Sequence, residues 1–233
     1  MIITERLVFL HLHKSGGSFV NQCLLRFVPG ARSMGHLLPR MLIPSENLDL
    51  PVLGFVRNPW SYYLSWYHFQ TQRPLPSPFF RILSEGGRLG FEATIRNLLE
   101  LGSGGAHLEA ILAELPTSYT NRGLNLPRFA LLPIRNTGMG FYSYLYRYLY
   151  GDFDRNLTVE RAENLRPKLI EYLLRVGHRV TPAANDFIMD RDARNALEYE
   201  PYVEHYSEGL RDLVAEKDQL IIGRHGYRFG SDA

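Results

Sequence analysis

Two short apolar runs, each followed by a helical pattern, stand out in the first third of the chain. The first run, residues 7–12, is almost wholly apolar, which is typical of a parallel strand covered on both faces. Beyond a polar turn, apolar residues recur at helical spacing at Val20, Leu24 and Phe27. The second run, residues 52–56, is followed by Pro59, which suits a first helical turn. The pattern predicts an α/β fold, with a central parallel sheet flanked by helices.

The turn after the first run consists of Lys14, Ser15, Gly16, Gly17 and Ser18. Glycines allow backbone N–H groups to approach an anion at a helix N-terminus. The lysine adds a positive charge and the serines add hydroxyl donors, so the turn predicts a phosphate site. The lysine precedes the glycine pair, whereas it follows the last glycine in a Walker A loop, so this is not the pattern of a nucleoside triphosphatase. An ordinary glycine-rich turn with a solvated lysine is the alternative.

The second apolar run ends at Arg57, where a strand of an open α/β sheet usually presents its ligand-binding residues. Ser65 would lie about 12 Å further along the following helix if that helix begins near Pro59. The spacing alone does not decide whether both residues contact one ligand. A strand-end ion pair for Arg57 and a surface hydroxyl for Ser65 are the structural alternatives.

Taken together, these stretches resemble the sulfotransferases that use 3′-phosphoadenosine 5′-phosphosulfate (PAPS), especially the carbohydrate-type branch, whose loop reads H-I-P-K-T-G-G-T-S. The resemblance implies a P-loop-like sulfotransferase fold and places residues 14–18 on the loop that holds the 5′-phosphosulfate. Arg57 and Ser65 match the arginine and serine that hold the 3′-phosphate, within the pattern F-V-R-N-P-x-x-x-x-x-S-x-Y. Phe19 stands where the family often has serine, so its expected contribution to cofactor binding is its backbone N–H. His13 replaces the usual proline.

Two later segments extend the resemblance. Glu163-Asn164-Leu165 follows a late strand pattern, as in the family, and residues 202–229 resemble its closing helix and G-Y-x-F ending. The resemblance therefore implies one sulfotransferase domain over residues 1–233. The middle, about residues 71–150, has no match and is interrupted by glycine, proline and serine clusters, so it is expected to form acceptor-binding loops.

The implied reaction moves a sulfuryl group from PAPS to an acceptor hydroxyl of a carbohydrate or glycan-like molecule, and releases 3′-phosphoadenosine 5′-phosphate (PAP). Lys14 is expected to stabilise negative charge on the leaving phosphate. The acceptor must lose a proton, and histidine is the side chain best suited to take it near neutral pH. His36 lies where relatives place their proposed base, while His13, His68 and Glu163 remain alternatives.

Composition narrows the function classes. The chain has 233 residues, is 45% hydrophobic and has a net charge of +2, which is too little positive charge for a typical nucleic-acid binder. Its single cysteine, Cys23, cannot form an intramolecular disulfide and is expected to be buried. We find no convincing metal-ligand cluster, membrane span or signal peptide, so we expect a cytoplasmic enzyme or an excised catalytic domain.

Three alternatives remain open. Residues 138–153 contain five tyrosines and two phenylalanines, which fit either a sugar-stacking platform or, as we favour, an amphipathic helix packed on the core. The phosphate loop would also fit an ATP-dependent kinase, although no aspartate follows an apolar strand in the Walker B manner. A non-catalytic module that binds PAP is the third alternative.

Overall fold

The computed structural model describes residues 1–119, 126–151, 156–190 and 201–231. They belong to two compact units, Met1–Arg57 with Leu149–Glu198, and Asn58–Tyr148 with Tyr199–Ala233. The single-domain organisation stays a prediction. In chain order, the described strands and α-helices are β1 (Ile2–Ile3), β2 (Val8–Leu10), α1 (Gly17–Phe27), β3 (Arg32–Ser33), β4 (Val52–Val56), α2 (Pro59–Thr71), α3 (Pro78–Leu83), α4 (Phe91–Leu99), α5 (Ala106–Glu114), α6 (Arg128–Leu131), α7 (Phe141–Tyr150), β5 (Leu157–Arg161), α8 (Leu165–Arg175), α9 (Pro182–Met189), α10 (Glu208–Lys217) and α11 (Gln219–His225).

The first unit is built on an open five-stranded sheet with the order β3-β1-β2-β4-β5. Strands β2, β4 and β5 are parallel, and Val56 at the end of β4 is paired with Arg161 at the end of β5. Strand β1 is antiparallel to both of its neighbours. The α/β class is therefore confirmed, but the sheet is mixed and only its β2-β4-β5 part is parallel.

The antiparallel strand β1 was not predicted, because a two-residue strand is too short to show periodicity. Its direction follows from a tight turn, in which the backbone N–H of Thr4 donates to the carbonyl of Leu7 at 2.9 Å. The Thr4 hydroxyl also accepts from the Leu7 N–H at 3.0 Å. The turn reverses the chain within a few residues, so β1 and β2 must pair antiparallel.

Helices α1, α8 and α9 cover one face of this sheet with a continuous apolar core. Strand residues such as Phe9 and Phe55 pack there against Cys23 of α1 and Leu169 of α8. Cys23 is a buried thiol, as predicted. On the opposite face, the ring of Tyr150 lies over Gly54, where a Cβ atom would come within 2.3 Å of that ring. The packing holds β2 and β4 side by side and fixes where their carboxyl ends emerge.

The second unit consists of helices, and its described residues include no strand. Asn58 caps the N-terminus of α2, since its side chain accepts from the Trp60 N–H at 3.0 Å. Helix α4 is followed directly by a 3-10 turn, Glu100–Ser103. The single closing helix implied for the tail is instead two helices, α10 and α11, which meet at Asp218.

The tyrosine-rich segment forms α7, and its aromatic rings are buried except that of Tyr148, which is half-buried. Tyr142, Tyr146 and Tyr150 have 0% exposure, and Tyr144 has 7%. The packing interpretation is therefore confirmed, and these rings have no face on which a sugar could stack. Residues 152–153 of the same segment lie outside the described residues.

Candidate functional site

The turn after β2 has the backbone of an anion-binding loop. Lys14 and Gly16 both adopt positive φ angles, 57° and 78°, which turns successive N–H groups toward one side. Helix α1 begins at Gly17, and no side chain of the described residues caps it. The first helical N–H groups, of Gly17 and Ser18, therefore lie at the positive end of the helix dipole.

Each glycine of the pair is required by a different neighbour. A Cβ on Gly16 would lie 2.2 Å from Cδ1 of Leu165, and the φ angle of this residue already favours glycine. A Cβ on Gly17 would lie 1.9 Å from Cδ2 of His11. Both distances are impossible contacts, so the pair lets the loop pack directly onto α8 and onto a buried imidazole.

Lys14 and Arg57 are close together at the carboxyl ends of adjacent parallel strands. Both side chains are half-buried. Burial and, as a smaller cause, the positive charge of Arg57 together lower the pKa of Lys14 from 10.5 to about 8. Neighbouring like charges of this kind disfavour the charged form of both groups, and a bound anion would relieve the repulsion.

The two serines of the loop differ in their surroundings. Ser15 is 1% exposed, and its hydroxyl donates to the carbonyl of His13 at 3.4 Å. Ser18 is exposed on the first turn of α1. Ser18 is thus the better placed of the two hydroxyls for an incoming anion, while Ser15 supports the loop. Their roles in cofactor binding stay predictions.

Phe19 is engaged in packing. Its ring stacks on Phe187 of α9 with centroids 6.2 Å apart, and the guanidinium of Arg166 lies 4.6 Å from its centroid. Its backbone N–H donates to the carbonyl of Gly16 at 3.0 Å. The contribution of Phe19 to cofactor binding stays a prediction, and its described contacts instead fix the first turn of α1 on the core.

Two histidines of the first unit are in contact behind this loop. His11 is buried, and its ring meets the His36 ring edge-on at a centroid distance of 4.6 Å. Burial lowers the pKa of His36 below its ordinary value of 6.5. A histidine with a lowered pKa is neutral near pH 7, which is the form that accepts a proton. His13 is also buried, at 8% exposure.

Arg161 was missed by the sequence analysis. It ends β5 and is paired in register with Val56, the residue before Arg57, so it lies at the same sheet edge. The signal that identified Arg57, a basic residue at the end of a strand, was also present here. The Arg161 guanidinium lies 3.8 Å from the carboxylate of Glu163. This ion pair favours a structural role for Glu163 over the role of base.

The remaining predicted residues lie in the second unit. Ser65 is half-buried in the middle of α2, and His68 lies one turn later. The ring of His68 is 5.9 Å from that of His205, and burial lowers its pKa. The assignment of Ser65 to a 3′-phosphate therefore stays a prediction from the sequence motif.

Comparisons with known proteins add no assignment. No protein-family model matches this chain, and no curated protein matches it. Among the described residues, no group of three or more histidine, cysteine, aspartate or glutamate side chains is placed to hold a metal ion. None of the described helices is long and apolar enough to cross a membrane.

Proposed function

We propose that this protein transfers a sulfuryl group from PAPS to a hydroxyl group of a carbohydrate or glycan-like acceptor, and that its first unit is a P-loop-like sulfotransferase fold. The observation that supports this most strongly is the pairing of Lys14 with Arg57 beside the N-terminus of α1. Two cations and a series of backbone N–H groups lie at one sheet edge, where α/β proteins bind their ligands.

The donor set fits a nucleotide with two separate phosphate groups. The N–H groups at the start of α1, with Lys14, would hold the 5′-phosphosulfate, because a helix N-terminus and an ammonium both favour anions. Arg57 would bind the 3′-phosphate, since a guanidinium binds phosphate oxygens in a bidentate manner. The sequence motif also implies a hydroxyl donor at Ser65.

The residues then have distinct chemical roles. Bound PAPS would supply the sulfuryl group and a phosphate as leaving group. Lys14 stabilises the negative charge that develops on that phosphate, and the loop N–H groups orient it. His36 accepts the proton of the acceptor hydroxyl, and its lowered pKa keeps it neutral and ready for this role near pH 7.

The test is a transfer assay with PAPS and a panel of oligosaccharides, with EDTA present to remove divalent cations. We expect PAP release that depends on the acceptor, together with a sulfated product. In a parallel assay with ATP and magnesium and without EDTA, turnover of ATP by a protein that does not use PAPS would contradict the proposal and favour the kinase class. Tight PAP binding without transfer to any acceptor in the panel would favour the non-catalytic module.

A further inference from the structure

His11 occupies a closed position behind the phosphate loop. Its side chain is 4% exposed. The ring stacks on Phe9, with centroids 6.3 Å apart and planes at 22°, and lies against Gly17 so closely that this residue must be glycine. The Asn21 side-chain amide is 3.4 Å from Nδ1 of His11. The imidazole is therefore held by β2 and by α1 at the same time.

The His36 ring meets His11 edge-on, at 4.6 Å and an interplanar angle of 76°. The backbone on either side of His36 is also constrained. Gly35 and Leu37 have positive φ angles of 139° and 53°, and Leu37 is 1% exposed. A non-glycine residue at such an angle persists only where its surroundings hold it. The position of His36 is thus set by its flanking backbone and by the ring of His11.

The charges around this pair disfavour protonation. The amine of Met1 lowers the pKa of both rings, and the charge of His36 lowers the pKa of His11 as well. Burial lowers the pKa of His11 to about 3, so this ring is neutral at any working pH. Its packing also removes water from one side of His36, and loss of water disfavours the imidazolium form.

We propose that His11 is a positioning residue for His36: its buried ring fixes the orientation of the His36 imidazole and shields it from water, so that His36 meets the acceptor as a neutral base. This inference rests on the proposed function. His11 itself touches neither cofactor nor acceptor in this role.

Two substitutions at His11 test whether a buried ring is needed at this position. His11→Ala removes the packing surface, whereas His11→Phe keeps a flat buried ring against Gly17 and His36. We expect His11→Ala to lower kcat by about 10-fold to 100-fold, the range for a misplaced catalytic group, and to leave the Kd for PAP within about twofold. The acidic limb of its kcat profile should move to higher pH. His11→Phe should restore most of the rate and return the limb toward wild type.

A second readout needs no activity. The Cε1 carbon resonance of His36, followed by NMR against pH without nucleotide, should report a higher pKa in His11→Ala than in wild type and a smaller change in His11→Phe. His178 provides the control. It is a half-buried histidine of the same unit whose Nε2 lies 3.0 Å from the Thr4 hydroxyl, and His178→Gln should leave both measurements unchanged.

The outcomes are distinct. If the wild type transfers sulfuryl groups and His11→Ala matches its kcat and pH profile, this inference is wrong and the proposed function stands. An equal loss of kcat and PAP affinity in His11→Ala would also overturn it, because it would assign His11 to the loop alone. A wild type that neither binds PAP nor uses PAPS overturns the proposed function, and this inference with it.

Discussion

In the first unit, Lys14 and Arg57 lie close enough for the charge of one to lower the pKa of the other. In the second unit, the buried carboxyl of Asp218 accepts hydrogen bonds from the Tyr63 hydroxyl at 2.6 Å and from the Ser143 N–H at 2.8 Å. Like charges side by side oppose folding, whereas a carboxyl with its own donors tethers helices. The first arrangement therefore fits a binding site, and the second fits a structural centre.

The largest expected effect comes from removing the lysine of the first unit. Lys14→Ala should reduce sulfuryl transfer by at least about 100-fold, the loss typical of one electrostatic stabiliser of a transition state. Lys168→Ala is the matched control, because Lys168 is a half-buried lysine of the same unit, paired with Glu171 at 2.9 Å. Initial rates with PAPS measure both variants. A wild-type rate in Lys14→Ala would contradict the assignment of this cation.

The buried carboxyl of Asp218 should make the stability of the folded protein depend on pH. Burial raises the pKa of Asp218 from 3.8 to about 6. A raised pKa means that the folded protein binds this proton more tightly, so the stabilisation is complete below about pH 4 and is lost as the pH rises through about 6. The difference in pKa corresponds to about 3 kcal/mol in the free energy of unfolding.

Urea unfolding of the wild type and Asp218→Asn at pH 5 and pH 8 tests this prediction. The wild type should lose stability relative to Asp218→Asn between these pH values, because the amide does not titrate. The histidines titrate in both proteins, so their contribution to the free energy of unfolding cancels in the difference between wild type and variant. A stability difference that does not change with pH would remove the contrast between the two units.

Substitution of a glycine in the loop should destabilise the protein, because neighbouring side chains leave no space for a Cβ atom. Gly17→Ala places a Cβ 1.9 Å from the His11 ring and should lower the free energy of unfolding by about 2 kcal/mol, as overpacking typically does. Gly223→Ala in α11 is the control, since no atom lies within 4 Å of its added Cβ. This change should raise stability by about 0.5 to 1 kcal/mol. Equal effects at both positions would contradict the packing described for the loop.

The smallest predicted effect is on the pH dependence of PAP binding. The pKa of Lys14, about 8, means that this side chain loses its charge at lower pH than an ordinary lysine. The affinity for PAP should therefore fall by about tenfold between pH 7 and pH 9. The Lys14→Ala variant should bind weakly and show little of this decline. A wild-type affinity that stays constant up to pH 9 would place the lysine away from the phosphate.

Features that depend on neighbouring residues in the chain were predictable from the sequence. A few consecutive residues determine each of three elements: the loop before α1, the strand that ends before Arg57 and the helix that begins at Pro59. Asp218 and the contact of His11 with His36 were not predictable, because each depends on partners distant in the chain. An aspartate in a polar helical tail looks like a surface residue, and only tertiary packing buries it.

The division of the middle and the tail into many short helices was also beyond the sequence. Between residues 71 and 150, glycine, proline and serine clusters interrupt the chain, and the buried side chains are mostly leucine and isoleucine residues on short helices such as α4 and α5. Helix α7 is the exception, since the sequence predicted an amphipathic helix there. Arg161 is a different case, since a basic residue at the end of a strand pattern is visible in the sequence and could have been predicted as a site residue.

The proposed function requires the sheet edge of the first unit to bind a 3′-phosphorylated adenosine nucleotide. Calorimetric titration with PAP and with ATP, without magnesium, on wild type and Arg57→Ala tests it most directly. We expect micromolar binding of PAP, much weaker binding of ATP, and at least about a tenfold loss of PAP affinity in the variant, as for one charged hydrogen-bonding group. Equal affinity for PAP and ATP, or a variant that binds PAP as well as wild type, would contradict it.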